Sequence, residues 1–129
     1  MVEKEIFNFE KLRVYKETVN FANEICLLTK KFPKSEHFPL VDQLKRAATS
    51  VSLNIAEGSG RSKKEFRRFL IVAKSSLYEC VPLLELSFLQ GYISKQEKEN
   101  FYNKCIELSK NDFYFNQKFN LLIFMITQN

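Results

Sequence analysis

Tryptophan is missing from this chain, and its 129 residues include only three glycines, three prolines and one histidine. An all-β fold of this length needs a turn about every 8–12 residues, more than so few turn formers can supply. Helices are what remains. The single histidine, His37, lies between Pro33 and Pro39 with no cysteine or second histidine near it. Cys26, Cys80 and Cys105 are far apart and form no Cys-x-x-Cys pair, so the ligand spacing of a zinc site is lacking. Three cysteines cannot all pair within one chain. Each sits among apolar residues at helical spacing, where a thiol acts as a small hydrophobe. They are read as reduced, in a cytoplasmic protein. The longest clean apolar run, Leu121 to Ile126, covers six residues and is too short to span a bilayer. The charged start Met-Val-Glu-Lys-Glu precedes no apolar stretch of the kind a signal peptide needs.

What is present suits a single domain over 1–129: 45% hydrophobic and 27% charged residues, with a Phe-rich aromatic set to fill the core. Apolar residues recur at three and four along four stretches. The first helix is expected over about 10–31, with Leu12, Tyr15, Val19, Ala22, Ile25, Cys26 and Leu28 on its inner face and Phe32-Pro33 ending it. The second runs over about 40–57 with Val41, Leu44, Ala48, Val51 and Ile55 as an a/d seam. Gly58 is read as its left-handed stop.

Ser62 and Glu65 form a capping-box signal for a third helix over about 62–90, with Phe66, Leu70, Ala73, Leu77, Cys80 and Leu84 facing inward. Pro82 predicts a kink near Tyr78 to Val81, and Gly91 closes the helix. Ser94 and Glu97 repeat the capping signal for a fourth helix over about 94–126, through Phe101, Cys105, Leu108, Phe115, Phe119, Leu122 and Ile126. Asp112 falls on that apolar face. Short connections imply antiparallel neighbours, so the predicted fold is an all-α, up-down-up-down four-helix bundle.

The stretch Gln43 to Cys80 carries a family resemblance. Gln43-Leu44-Lys45-Arg46-Ala47-Ala48, then Asn54 to Gly58, Glu65 to Leu70 and Ser76 to Glu79 match the pattern of the four-helix-bundle family of 23S rRNA intervening-sequence proteins. Phe9 to Leu12 and Phe32-Pro33 look like the family too. The chain departs from it at Ser75, where a glycine is usual, and in the Phe- and Asn-rich end from Asn111. The resemblance implies a bacterial, cytoplasmic homo-oligomer, five copies being favoured, with no known catalysis. Relatives of similar build are accessory variability-determinant proteins of diversity-generating retroelements, which engage nucleic acid and a reverse transcriptase. RNA or DNA and such a protein partner are therefore expected partners.

Charge is distributed unevenly. Between Arg61 and Lys74 stand six basic residues (Arg61, Lys63, Lys64, Arg67, Arg68, Lys74) against Glu65 alone, a local +5 that equals the net charge of the whole chain. Lys63, Arg67 and Lys74 share a helical stripe, with Lys64 and Arg68 beside it and Ile71 and Tyr78 interleaved. A stripe of this kind suits phosphate contacts, and equally a solvated basic face. Cations at a helix start oppose the macrodipole by about 0.3–1 kcal/mol each where exposed, which favours a use for them. A second stripe, Gln43, Ala47, Ser50, Asn54 and Glu57, suits a hydrogen-bonded network between helices or subunits, or simply the polar flank of an amphipathic helix.

Catalysis is not expected. Glu57, Glu65, Glu79 and Glu85 lack an accompanying Glu-x-x-His motif, His37 has no arginine four to six residues upstream, and no Gly-rich phosphate loop follows a strand. No cofactor is implied.

Overall fold

The structure, a computed structural model, describes residues 6–111, with side chains for all of these but 36–38 and 111. Four helices build it: α1 (Arg13–Thr29), α2 (Asp42–Ser59), α3 (Lys63–Leu89) and α4 (Lys95–Asn111). Short 3-10 turns at Asn8–Lys11 and Lys34–Glu36 and a π turn at His37–Val41 complete the described chain, which contains no strand. The outer part of the predicted fourth helix, from Asp112 onward, lies outside the described residues.

The helices pack in a cycle, α1 on α2, α2 on α3, α3 on α4 and α4 back on α1, with the α2–α3 pair the most extensive. Cross-contacts reveal the chain directions. Ser50 meets Ser76 while Gly58 meets Phe66 and Phe69, so α2 and α3 are antiparallel. Lys31 pairs with Glu97 and Glu24 with Lys104, so α1 and α4 are as well.

The seam residues of α2 and α3 are all in the core: Leu44, Val51, Ile55, Phe66, Leu70, Leu77 and their neighbours are essentially inaccessible to solvent. Each such side chain contributes about 1.5–3 kcal/mol by leaving water. On α1 the expected inner face holds at Leu12, Ala22, Ile25 and Leu28, which are buried, but is wider than expected and leaves out one member. Val19 is exposed, whereas Val14, Thr18, Phe21 and Thr29 are buried. Buried threonines are tolerated because each hydroxyl bonds its own helix: Thr18 Oγ1 donates to the Val14 carbonyl at 2.8 Å and Thr29 Oγ1 to that of Cys26 at 3.0 Å.

The helix ends follow local chemistry, with one correction. At α4 the capping box is complete, Ser94 Oγ accepting from the Glu97 N–H (3.1 Å) and Glu97 Oε1 from the Ser94 N–H (2.8 Å). Gly91 adopts φ +80, and the Tyr92 and Gly91 N–H groups reach the Ser87 and Phe88 carbonyls, a Schellman close to α3. Gly58, by contrast, is not a left-handed stop. It lies buried inside α2, which runs on to Ser59, and an added Cβ would stand 2.5 Å from Phe69 Cβ and 2.9 Å from Phe66 Cδ1. Glycine is required there because α3 comes too close for any side chain. Pro82 is exposed, and α3 continues through it without a break.

Candidate nucleic-acid interface

The basic segment opens at the α2–α3 turn. Ser62 caps α3, its Oγ accepting from the Glu65 N–H at 3.3 Å, and this fixes which way the first turns of the helix point. Phe66, Leu70 and Ala73 take the buried face. Helical geometry then sends Lys63, Lys64, Arg67 and Arg68 outward, and all four are exposed, as is Arg61 in the turn. Lys74 is half-buried, with its Nζ 5.6 Å from the centroid of the exposed Tyr78 ring.

These cations divide between two sides. Lys63, Arg67 and Lys74 share one helical stripe of α3 with Tyr78, whereas Arg68 and, from the preceding turn, Arg61 lie beside Asn54 of α2, with Lys64 near the outer ridge. Arg61 is anchored by its neighbours. Its guanidinium meets the Glu57 carboxylate at 3.4 Å and that of Glu65 at 3.7 Å, and lies 5.1 Å over the Phe69 ring. Its charge is thus largely answered within the protein.

The polar stripe of α2 is also divided. Ser76 Oγ donates to Ser50 Oγ at 2.9 Å, and Asn54 Nδ2 donates to the Ser50 carbonyl (2.7 Å) and Ser50 Oγ (2.9 Å), which joins Ser50 and Asn54 to α3. Gln43 is exposed, and Glu57 turns to Arg61. Between the two stripes runs a groove of about 320 Å³ lined by Asn54, Arg61, Glu65, Arg68, Phe69 and Val72. Glu65, Phe69 and Val72 are the members outside both predicted stripes. Their signal was the spacing of four from Glu65 to Phe69 and of three from Phe69 to Val72, which puts all three on one face of α3.

Away from this surface, two of the three thiols, Cys80 and Cys105, are buried. Burial pushes the Cys80 thiol far up, helped by Cys105 and Glu79, and pushes Cys105 up to about 12. Both stay protonated and inert as nucleophiles at neutral pH. Among the described residues no group of three or more His, Cys, Asp or Glu side chains is placed to hold a metal, and no helix is long and apolar enough to cross a membrane.

The family model described as 23S rRNA-intervening sequence protein matches residues 10–111, taking in every element that builds this surface. The chain belongs to that family. No curated protein matches it. Among solved structures, this 23S rRNA-intervening sequence family member is similar to a protein of unknown function from the S23 ribosomal protein family of Bacteroides thetaiotaomicron. The TM-score is 0.68 at 25% identity, covering 90% of this chain and 99% of that one.

Proposed function

We propose that the protein is a non-catalytic, self-associating accessory or scaffold protein that binds RNA or DNA through its phosphates. The observation that supports this best is the concentration of Lys63, Lys64, Arg67 and Arg68 as exposed cations within two turns of α3. Such a surface neutralises phosphates and releases their condensed counterions, without reading bases in a duplex. A protein partner that works on the same nucleic acid, such as a reverse transcriptase, fits this role. Self-association is supported by the outer side of α3, where Leu86 and Leu89 are 47% and 66% exposed. Five copies is the number the family resemblance implies. These apolar residues also support a second reading, a protein-interaction module that never meets nucleic acid.

Measuring binding against salt concentration separates the two. The proposal expects log K to fall linearly with log salt, by about 0.7–0.9 per phosphate neutralised. Lys64→Glu with Arg67→Glu lowers affinity for all sequences alike and flattens that slope, because both side chains lie off the core face. Absence of binding by the parent at low salt leaves the interaction module standing. A monomer mass by light scattering at micromolar concentration rejects self-association.

A further inference from the structure

We infer that the groove between α2 and α3 is a seat for an unpaired nucleobase, so that the protein prefers single strands to duplexes. This rests on the nucleic-acid reading above and deepens it. The first support is an unused acceptor. Asn54 Nδ2 is committed to Ser50, and because one of its partners is a carbonyl oxygen, which can only accept, the amide orientation is fixed. Asn54 Oδ1 therefore faces away from that contact, and no donor among the described residues reaches it. Asn54 lines the groove, and an amide oxygen there is an acceptor that matches the exocyclic amine on the pairing edge of cytosine or adenine.

The second support is the wall. Phe69 is half-buried and carries the Arg61 cation over its ring, while Val72 adds an exposed apolar edge. Since Glu57 and Glu65 already answer its charge, Arg61 is better suited to offering a flat stacking surface than to holding a phosphate. Arg68, at the groove's edge, is the phosphate contact. Aromatic rings and arginine planes are the surfaces on which unpaired bases stack, and every base has such a face. A duplex hides its bases in the stack and cannot present one here.

The third support is Gly58. It lets the Cβ of Phe69 sit where a side chain of α2 would otherwise be, and Phe69 then lines the same groove as Asn54. The Asn54-to-Gly58 segment and the Glu65-to-Leu70 segment thus build one feature jointly.

The test compares three probes by fluorescence anisotropy at one salt concentration: a short oligocytidylate, an abasic strand of equal length and a duplex of equal length. The intact strand is expected to bind at least about fivefold tighter than the abasic strand, the lower end of what one stacked base contributes. It is expected to outcompete the duplex as well. Asn54→Ala with Arg61→Ala, which takes away the acceptor and the stacking plane together, removes most of the intact-to-abasic ratio. Val72→Glu, an exposed change that leaves the Asn54 hydrogen bonds in place, also lowers that ratio; its charge weakens both strands alike and cancels. Equal binding of intact and abasic strands with ordinary salt dependence overturns the base seat and leaves phosphate binding intact. A ratio that survives in Val72→Glu and in the double variant overturns the groove as its location. No binding of any probe at low salt overturns both proposals together.

Discussion

The contact between α2 and α3 and the attachment of α4 are built from different materials. α2 and α3 meet through small residues, Gly58 against Phe69 and Ser50 against Ser76, flanked by fully buried Leu44, Val51, Ile55, Leu70 and Leu77. α4 brings only Phe101, Cys105 and Leu108 to the core among its described residues. It is otherwise tied by charge, Glu97 to Lys31, Lys104 to Glu24 and Lys98 to Glu85, with the Lys98 cation also over the Phe88 ring of α3. Grooves remain open on both of its sides: about 220 Å³ toward α1, and about 520 and 350 Å³ toward α3 around Val81, Pro82 and Tyr102. Dry packing resists salt and pH, whereas exposed ion pairs are screened and titrate. The candidate nucleic-acid surface is thus mounted on the rigid pair, and α4 is the responsive part of the molecule.

The contrast is broken most forcefully by paired truncations. Leu77→Ala removes a side chain with no accessible surface from the middle of α3 and is expected to cost toward the upper end of about 2–5 kcal/mol. Leu108→Ala on α4 is expected near the lower end, because Leu108 lines the groove toward α1 and water can occupy the space it leaves. Chemical denaturation of the two variants measures the gap. Equal losses, or a larger loss at Leu108, contradict the claim that α2 and α3 form the rigid half.

A glycine comparison sharpens the same point at smaller cost. Gly58→Ala forces a methyl against the Phe69 Cβ, which cannot swing away because it is fixed to the α3 backbone. The expected loss is about 1–3 kcal/mol, even though alanine is the better helix former. Gly60→Ala, two residues on, has open space around it and an ordinary φ of −88, and is expected to change stability by less than about 0.5 kcal/mol. Equal melting temperatures for parent and Gly58→Ala reject the close approach on which the base seat depends.

These variants fall where sequence reading succeeded and failed for identifiable reasons. The faces of α2 and α3 were legible because Val41, Leu44, Ala48, Val51 and Ile55, and their counterparts from Phe66 to Leu84, are apolar and regularly spaced. The face of α1 was legible only in part, since Thr18 and Thr29 look like surface residues until their hydroxyls are seen bonded to the helix backbone. Gly58 was read as a stop because a glycine near a helix end suits both a left-handed turn and a close approach, and only the position of Phe69 separates them. Exposure of the basic residues followed from their spacing. The neutralising of Arg61 did not, although Glu57 and Glu65 stand four residues to either side of it, an arrangement that favours ion pairs.

The smallest expected effect tests the electrostatic half directly. Glu97 accepts from Lys31, just beyond the end of α1, and from the Ser94 N–H, and these bonds, the one from Lys31 foremost, hold its carboxyl below the ordinary carboxylate range. A carboxyl lowered on folding adds stability above its unfolded pKa, and that stability is lost as pH falls through the lowered folded value. Glu97→Gln keeps a carbonyl oxygen for the Ser94 N–H but gives up the charge. At neutral pH and low salt the variant is expected to be less stable by about 0.2–1 kcal/mol, the range of a partly exposed ion pair. On acidification below the carboxylate range the parent loses this advantage and the two unfolding curves converge, as they also do at neutral pH in molar salt, where the screening length falls to about 3 Å. A difference that holds constant across both titrations means that Glu97 secures α4 through its cap alone; the division of this bundle into a packed half and a charged half is then wrong at this contact.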